Sequence, residues 1–242
     1  MRILILSDIH ANFTALETVL EHAGEVDSIW CLGDLVGYGP DPNECVEKIR
    51  AMPNLVCLIG NHDAAVIDQM DAATFNPEAR LSIEWTLQRI SADNLAYLSQ
   101  LPNRIVVENT TLVHGSPRSP TFEYLLDTHL ATINFSYFET PFCFVGHTHL
   151  PAQYILGNGQ GHASLIIPQP NQVMRLAPRS ILNPGSVGQP RDRDPRAAYA
   201  IYETQNNAWD YRRVQYDISA VQKRMKAFKL PERHIQRLAA GW

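Results

Sequence analysis

No two cysteines in this sequence are spaced C-x-x-C. Cys31, Cys57 and Cys143 sit in separate apolar runs, and Cys45 sits on an expected helix. A disulfide-stapled secreted fold is therefore not indicated, and the thiols are expected to be reduced and mostly buried. No apolar run approaches the length of a membrane span. Only four aliphatic residues separate Arg2 from Ser7-Asp8, too few for a secretory leader, so a cytoplasmic location is expected. Positive charge is not in excess, and the formal net charge is −5. That argues against broad electrostatic binding to nucleic acid or to an anionic membrane. There is no repeat of fixed period, no low-complexity tract and no linker long enough to divide the chain. One domain over residues 1–242 is expected.

What is present is an alternation of apolar runs and helical patterns. Arg2 to Leu6 reads as a buried strand that ends at Ser7-Asp8-Ile9-His10. Asn12 can cap a helix from Phe13 to about Ala23, which Gly24 ends. A second strand, Ser28 to Leu32, runs into Gly33-Asp34 and a glycine-rich loop. Asp41, Pro42 and Glu44 have the form of a capping box opening a helix with Val46 and Ile49 inward. A third strand, Leu55 to Ile59, ends at Gly60-Asn61-His62-Asp63. Strand, helix, strand, helix, strand is the pattern of a parallel sheet in an α/β fold.

Residues 64–100 read as helical and are expected to cover one rim of the sheet. Pro77 to Ile90 carries an imperfect stripe of Leu81, Ile83, Trp85 and Leu87, and Ser91 caps a shorter helix. A hairpin is expected from Arg104–Val107 and Thr111–Val113 around Asn109-Thr110. Residues 121–138 are aromatic-rich and ambiguous. Short strands follow at 142–145, 153–156, 163–167, 172–176, 180–182, 197–202 and 208–216, with a turn at Gly157-Asn158-Gly159. Two helices, about 218–228 and 231–240, close the chain. Their basic residues, Lys223, Arg224, Lys226, Lys229, Arg233 and Arg237, read as a solvated face opposite Val221, Met225 and Phe228.

The chemistry-bearing residues are concentrated at strand ends. Asp8, His10, Asp34, Asn61, His62, His114, His147 and His149 each sit at a strand end or in a glycine-flanked turn, and they include five of the nine histidines. Singly, each has a structural explanation, such as a cap or a surface histidine. Capping does not explain why the combination recurs five times. In open α/β sheets the carboxyl ends of strands are where ligands bind. Mixed carboxylate, amide and imidazole donors without thiolate suit a catalytic transition metal better than Ca²⁺, Mg²⁺ or a structural zinc knuckle.

The series Asp8-x-His10, Gly33-Asp34, Gly60-Asn61-His62-Asp63, His114 and Gly146-His147-Thr148-His149 resembles the calcineurin-like metallophosphoesterase superfamily. The loop Asn183-Pro-Gly-Ser-Val187 resembles one in its small bacterial and archaeal phosphodiesterases. The resemblance implies a four-layer α/β/β/α sandwich with two central mixed sheets. It also implies two divalent ions, Mn²⁺ foremost, with Fe, Zn²⁺ or Ni²⁺ as alternatives. Asp8, His10, Asp34 and His149 would bind one ion, and Asp34, Asn61, His114 and His147 the other. Such a pair polarises a phosphoryl group and acidifies the water between the ions, whose hydroxide attacks phosphorus in line. By the same pattern His62 is not a ligand but donates a proton or hydrogen bond to the leaving oxygen. The alternative is that it supports Asn61 from behind.

The sequence departs from the protein phosphatases of that superfamily. Gly37 and Tyr38 stand where those enzymes carry an Asp and an Arg, and Asp63 stands for a Glu. Phosphate binding then falls to other residues. Arg191 and Arg196 are candidates, because guanidinium matches phosphate in a two-pronged way. The other reading is a solvated loop in which Arg191, Asp192, Arg193 and Asp194 pair loosely. Tyr38 is a candidate for stacking on a base or for simple packing. The expected activity is hydrolysis of a small phosphodiester, phosphomonoester or nucleotide. A serine/threonine protein phosphatase, a dinucleoside polyphosphate hydrolase and a catalytically silent scaffold are the alternatives. The expected partner is the small phosphorylated substrate or nucleotide, without membrane or nucleic acid, and a homo-oligomer is left open.

Overall fold

The computed structural model describes residues 1–157 and 161–242. In chain order its first elements are β1 (Arg2–Leu6), α1 (Phe13–Ala23), β2 (Ser28–Cys31), α2 (Pro42–Arg50), β3 (Leu55–Cys57) and α3 (Asn61–Val66). Two rim helices follow, α4 (Pro77–Leu87) and α5 (Ala92–Leu98), and then β4 (Arg104–Val107), β5 (Thr110–Val113), α6 (Thr128–Asn134) and β6 (Phe142–Phe144). The remainder is β7 (Ala152–Leu156), β8 (Ala163–Ile166), β9 (Val173–Arg175), β10 (Ser180–Asn183), β11 (Ala197–Glu203), β12 (Ala208–Val214), α7 (Ile218–Ala227) and α8 (Glu232–Ala240).

The strands form two six-stranded mixed sheets, ordered β3-β2-β1-β11-β12-β9 and β4-β5-β6-β10-β7-β8. In the first, β1, β2 and β3 run parallel and β11 joins β1 antiparallel. In the second, β5, β6 and β10 run parallel. Alternation along β1 shows how the layers are built. Ile3 and Ile5 pack between the sheets with Trp30, Leu112, Phe144 and Leu182. Leu4 and Leu6 face the other way, onto Leu16 and Val19 of α1, Ile49 of α2 and Val221 of α7. Successive side chains of a strand point to opposite faces, so a strand buried on both faces must be apolar throughout. The outer face of the second sheet is covered by α6, with Ala131 and Phe135 packed near Cys143 and Ile181. The expected four-layer α/β/β/α sandwich with two mixed sheets is the fold observed. No helix among the described residues is long and apolar enough to cross a membrane.

Several local expectations need correction. The Asp41 side chain makes no capping bond to α2. Its carboxylate instead takes Arg224 at 2.8 Å and the Phe13 backbone N–H at 3.3 Å, a charge-assisted tie that outcompetes a neutral cap. Arg224 is thus not on a solvated face. Phe228 is also misplaced by the sequence pattern, since it is 43% exposed. α4 buries Ala79, Ser82, Ile83 and Thr86, whereas Leu81 and Leu87 point outward. Ser82 and Thr86 tolerate burial because their hydroxyls donate to carbonyls one turn back, at 2.7 and 2.8 Å. The hairpin pairs Val107 with Thr110, so its turn is Glu108-Asn109. The expected Gly157-Asn158-Gly159 turn lies largely outside the described residues. All four cysteines are free and buried.

Candidate metal centre

Asp8, His10, Asp34, Asn61, His62, His114, His147 and His149 come together at the carboxyl edge of the two sheets, and none is more than 5% exposed. Their loops are held in unusual backbone. Asp8, His10, Asp34, Tyr38, His147 and His149 all adopt left-handed φ, between 49° and 64°. For non-glycine residues this carries strain of order 1–3 kcal/mol each and persists only where surroundings impose it. The imposing bonds are visible. The backbone N–H of Asp8 donates to Gly33 at 3.1 Å, and that of His10 to Asp34 at 2.9 Å. The Asp8 carbonyl accepts from Gly188 N–H at 3.0 Å and from the Ser186 hydroxyl at 2.8 Å. The loop containing Asn183 to Ser186 is thereby locked under the site. The Asn183 amide donates to Gly146 O at 2.7 Å, fixing the turn that carries His147.

Hydrogen bonding to backbone fixes the tautomers. His10 Nδ1 lies 3.0 Å from Val36 O, His149 Nδ1 2.5 Å from Gln189 O, and His114 Nδ1 2.8 Å from Leu32 O. A carbonyl only accepts, so each Nδ1 carries a proton, and Nε2 presents a lone pair wherever the ring is neutral. Yet His10 Nε2 and His149 Nε2 are 3.1 Å apart. His114 Nε2 is 3.1 Å from Asn61 Oδ1 and 3.4 Å from Asp34 Oδ2. His10 Nε2 is 3.5 Å from Asp34 Oδ2, and His149 Nε2 3.3 Å from Asp8 Oδ1. His147 Nε2 faces Phe122 O at 3.2 Å, which leaves its Nδ1 for the interior. Acceptors therefore face acceptors throughout, an arrangement that only protons or cations can stabilise. Donor atoms within 4.8 Å of one another form the groups Asp8–His10–His149 and Asp34–His114–His147. A third such group, His10–Asp34–His62, joins them. The donor set suits divalent transition metals.

Protonation states agree with this picture. Burial holds His10 and His149 well below the usual imidazole range, and takes His62 to about 4 and His147 to about 3. These rings are neutral, with lone pairs available. Burial pushes the Asp8 carboxyl up to about 6. His114 is the exception: burial opposes its charge, but Asp34 raises it to about 9, so a proton sits where a cation would otherwise balance Asp34.

His62 is at the first turn of α3, its backbone N–H donating to Asp34 Oδ1 at 2.9 Å. Its ring touches those of His10, Tyr38 and Phe75 at centroid distances of 4.9, 4.4 and 4.9 Å. Gly37 explains itself here. Its φ is +89°, and a Cβ would overlap His62 Nδ1. The ring occupies the space that an Asp at position 37 would fill. A cleft of about 280 Å³ opens beside it, lined by His62, Asn61, Tyr38, Phe75, Tyr124 and His147. From the segment 64–100, Met70 and Phe75 line one side of this cleft.

The arginine candidates separate. Arg191 Nη2 reaches Gln189 Oε1 at 3.1 Å and the Tyr38 hydroxyl at 3.4 Å, with its charge felt at Asp8, His10 and His149. Arg196 is engaged by Asp194, with Nε–Oδ1 at 3.0 Å and Nη2–Oδ2 at 2.6 Å, and has no contact with the cluster. The loosely paired loop is not what forms, because Asp192 binds the buried Arg213 instead. Tyr38 packs on His10 and His62, with 6% exposed.

Some residues of the site were not singled out from the sequence. Asp63 accepts from Gly60 N–H at 3.0 Å and Val36 N–H at 3.1 Å, tying together the loops that carry Asn61 and Asp34. Its place in Gly60-Asn61-His62-Asp63 was a usable signal. Tyr124 stacks on His147 at 3.8 Å from within the aromatic-rich stretch. His234 of α8 meets Tyr38 edge to face at 4.7 Å, and nothing in its helical pattern marks it.

Two mixed sheets packed face to face, with a buried carboxylate–imidazole cluster at their carboxyl edge, define a metal-dependent phosphoesterase architecture. The model of the calcineurin-like phosphoesterase superfamily domain matches residues 1–207, and the chain belongs to that superfamily. The crystal structure of a metallophosphoesterase from Sphaerobacter thermophilus superposes with a TM-score of 0.91 at 48% identity, covering 100% of this chain and 99% of that one. An uncharacterized protein of Methanocaldococcus jannaschii is 35% identical over 247 residues, 99% of this chain and 98% of its own. A symmetrical bis(5'-nucleosyl)-tetraphosphatase of Pseudomonas putida is 26% identical over 163 residues, 66% of this chain and 46% of its own.

Proposed function

We propose that the protein is a binuclear metal-dependent phosphoesterase acting on a small phosphodiester, phosphomonoester or nucleotide. The observation that carries this is the set of lone pairs and carboxylate oxygens facing one another at 3.1–3.5 Å. Asp8, His10, Asp34 and His149 would hold one ion, and Asp34, Asn61, His114 and His147 the other. When bound, the ions supply Lewis acidity toward a phosphoryl oxygen and a water acidic enough to attack near neutral pH.

The chain's own residues do the rest. The backbone bonds to Nδ1 of His10, His114 and His149 pre-orient their rings, so little reorganisation accompanies reaction. His62 faces the cleft as a neutral ring. With its pKa held to about 4 by burial, it is suited to donate a hydrogen bond to the leaving oxygen and not to store a proton. Geometry alone also lets His62 coordinate, and metal content of a variant separates the two roles. Arg191 brings a positive charge beside Tyr38, where it would attract a phosphoryl group of the substrate. Gly37 and Tyr38, in place of Asp and Arg, disfavour a protein phosphatase.

A second reading, hydrolysis of a dinucleoside polyphosphate, draws on the name of the Pseudomonas putida relative and on Arg191, which meets no carboxylate among the described residues. The test is hydrolysis of bis-p-nitrophenyl phosphate, p-nitrophenyl phosphate and a nucleotide panel, with Mn²⁺ and with chelator. Metal-dependent turnover is expected. Inactivity on all of them points to a scaffold.

A further inference from the structure

Beside the acceptor cluster lies a group of side chains with several buried N–H groups left unpaired. Tyr38 separates the two. Against it, edge to face, lies His234 of α8, 1% exposed, with a centroid distance of 4.7 Å. One helical turn further along the same face comes Arg237. Arg191, from the loop after Gly188, places its guanidinium carbon 5.8 Å from the Tyr38 ring centroid.

The nearby carboxylates are already occupied. Asp192 pairs with Arg213, Asp194 with Arg196, and Glu78 with Arg233 at 3.2 Å. Among the described residues neither Arg191 nor Arg237 meets a carboxylate, and Arg237 has only the ring of Trp242, 5.8 Å away. Arg191 Nε, Arg237 Nε, Gln189 Nε2 and both ring nitrogens of His234 are buried without a hydrogen-bond partner. One His234 nitrogen of the neutral ring carries a hydrogen, and buried polar groups are nearly always satisfied, so these four N–H donors call for a missing partner. Two guanidiniums, an amide and an imidazole share one complement, an oxyanion with several acceptor oxygens. Burial, and next the charge of Arg191, hold the Arg237 guanidinium below its ordinary range.

We propose that Arg191, Arg237 and His234 form a second anion subsite beside Tyr38, which holds a phosphoryl group of the substrate other than the one attacked. The identity of that ligand rests on the phosphoesterase reading; the cluster of unpartnered donors does not. The substrate class is then narrowed to molecules carrying at least two phosphoryl groups. The C-terminal helix, which carries none of the recognised motif residues, becomes part of the specificity apparatus.

The experiment is calorimetric titration of the full chain, loaded with Mn²⁺, by inorganic pyrophosphate and by orthophosphate. The wild type is expected to prefer pyrophosphate by about tenfold or more, as charge-assisted hydrogen bonds of this kind provide. Arg237→Gln, a change at a half-exposed position, is expected to cut that preference about tenfold. Arg233→Gln, on the outer face and paired with Glu78, is expected to keep it. His234→Gln provides a second test of the same loss. Equal preference in wild type and R237Q, or none in the wild type, overturns the subsite. Absence of Mn²⁺-dependent hydrolysis of bis-p-nitrophenyl phosphate, p-nitrophenyl phosphate and the nucleotide panel, with the pyrophosphate preference intact, overturns the phosphoesterase reading and leaves the subsite standing.

Discussion

Two buried polar regions adjoin the Tyr38 ring and are opposites in chemistry. Toward His10 and His62, five imidazoles, two carboxylates and an amide oxygen converge, with more acceptor atoms than hydrogens to fill them. Toward His234, Nε of Arg191, Nε of Arg237 and Nε2 of Gln189 are buried with no acceptor. Neither region is explained by folding energetics, because an unsatisfied buried polar group costs about 1–3 kcal/mol. On the function and subsite proposed above, each would be completed by a ligand of the opposite kind, cations in one and an anion in the other, and a phosphorylated substrate would bridge both.

The comparison is broken most severely at His62. If that ring serves the leaving group, His62→Ala retains two metal ions per chain by elemental analysis and loses about 10²–10⁴-fold in turnover on a phosphodiester with a poor leaving group. A turnover near that of the wild type excludes the role; loss of one ion makes His62 a ligand instead. Next comes Asp34, which lies within 3.5 Å of both His10 and His114. At a hundredfold excess over its dissociation constant, Mn²⁺ is expected to stabilise the wild type by about 2.7 kcal/mol. Calorimetric melting should show an upward shift of about 5–10 °C, which chelator reverses and Asp34→Asn largely removes. An unchanged shift in D34N contradicts a bridging position.

Smaller effects sharpen the contrast. Gly37→Ala forces a side chain at φ +89° against His62 Nδ1. A destabilisation of about 1–3 kcal/mol in urea titration is expected, with weakened turnover. Wild-type stability would show that the His62 ring can move aside. His234 addresses the donor side. Burial lowers it from 6.5 to about 4, so the folded chain keeps it neutral where the unfolded chain binds a proton. Its contribution is complete above about pH 6.5 and is lost as pH falls toward 4. With chelator present, His234→Gln should therefore gain on the wild type in urea midpoint between pH 7 and pH 5. Parallel pH profiles for the two proteins rule out a buried neutral His234.

The sequence carried the acceptor region well and the donor region hardly at all. Asp8, His10, Asp34, Asn61, His62, His114, His147 and His149 stand out because each interrupts an apolar strand with a ligand-type residue, and the sheets bring strand ends together. Element types were legible for the same reason: both faces of the strands are buried, and α1 and α5 are capped by Asn12 and Ser91 as read. Pairings across the chain were not legible. Arg224 reaches Asp41 across 183 residues, and no local pattern says that Arg196 would be taken by Asp194 while Arg191 is left without a carboxylate. The buried face of α4 was misread because Ser82 and Thr86 bond their own helix. His234 was invisible, since a histidine on a helix face carries no mark of the ring it will meet.

The central claim is that the acceptor cluster binds a pair of divalent ions. Crystals grown with Mn²⁺ and measured at the manganese absorption edge test it directly. Two anomalous peaks are predicted, about 3.5–4 Å apart, one near Asp8, His10 and His149 and the other near Asn61, His114 and His147, with Asp34 between them. No peak at this cluster, with manganese in the crystal and all eight side chains in place, would contradict the account.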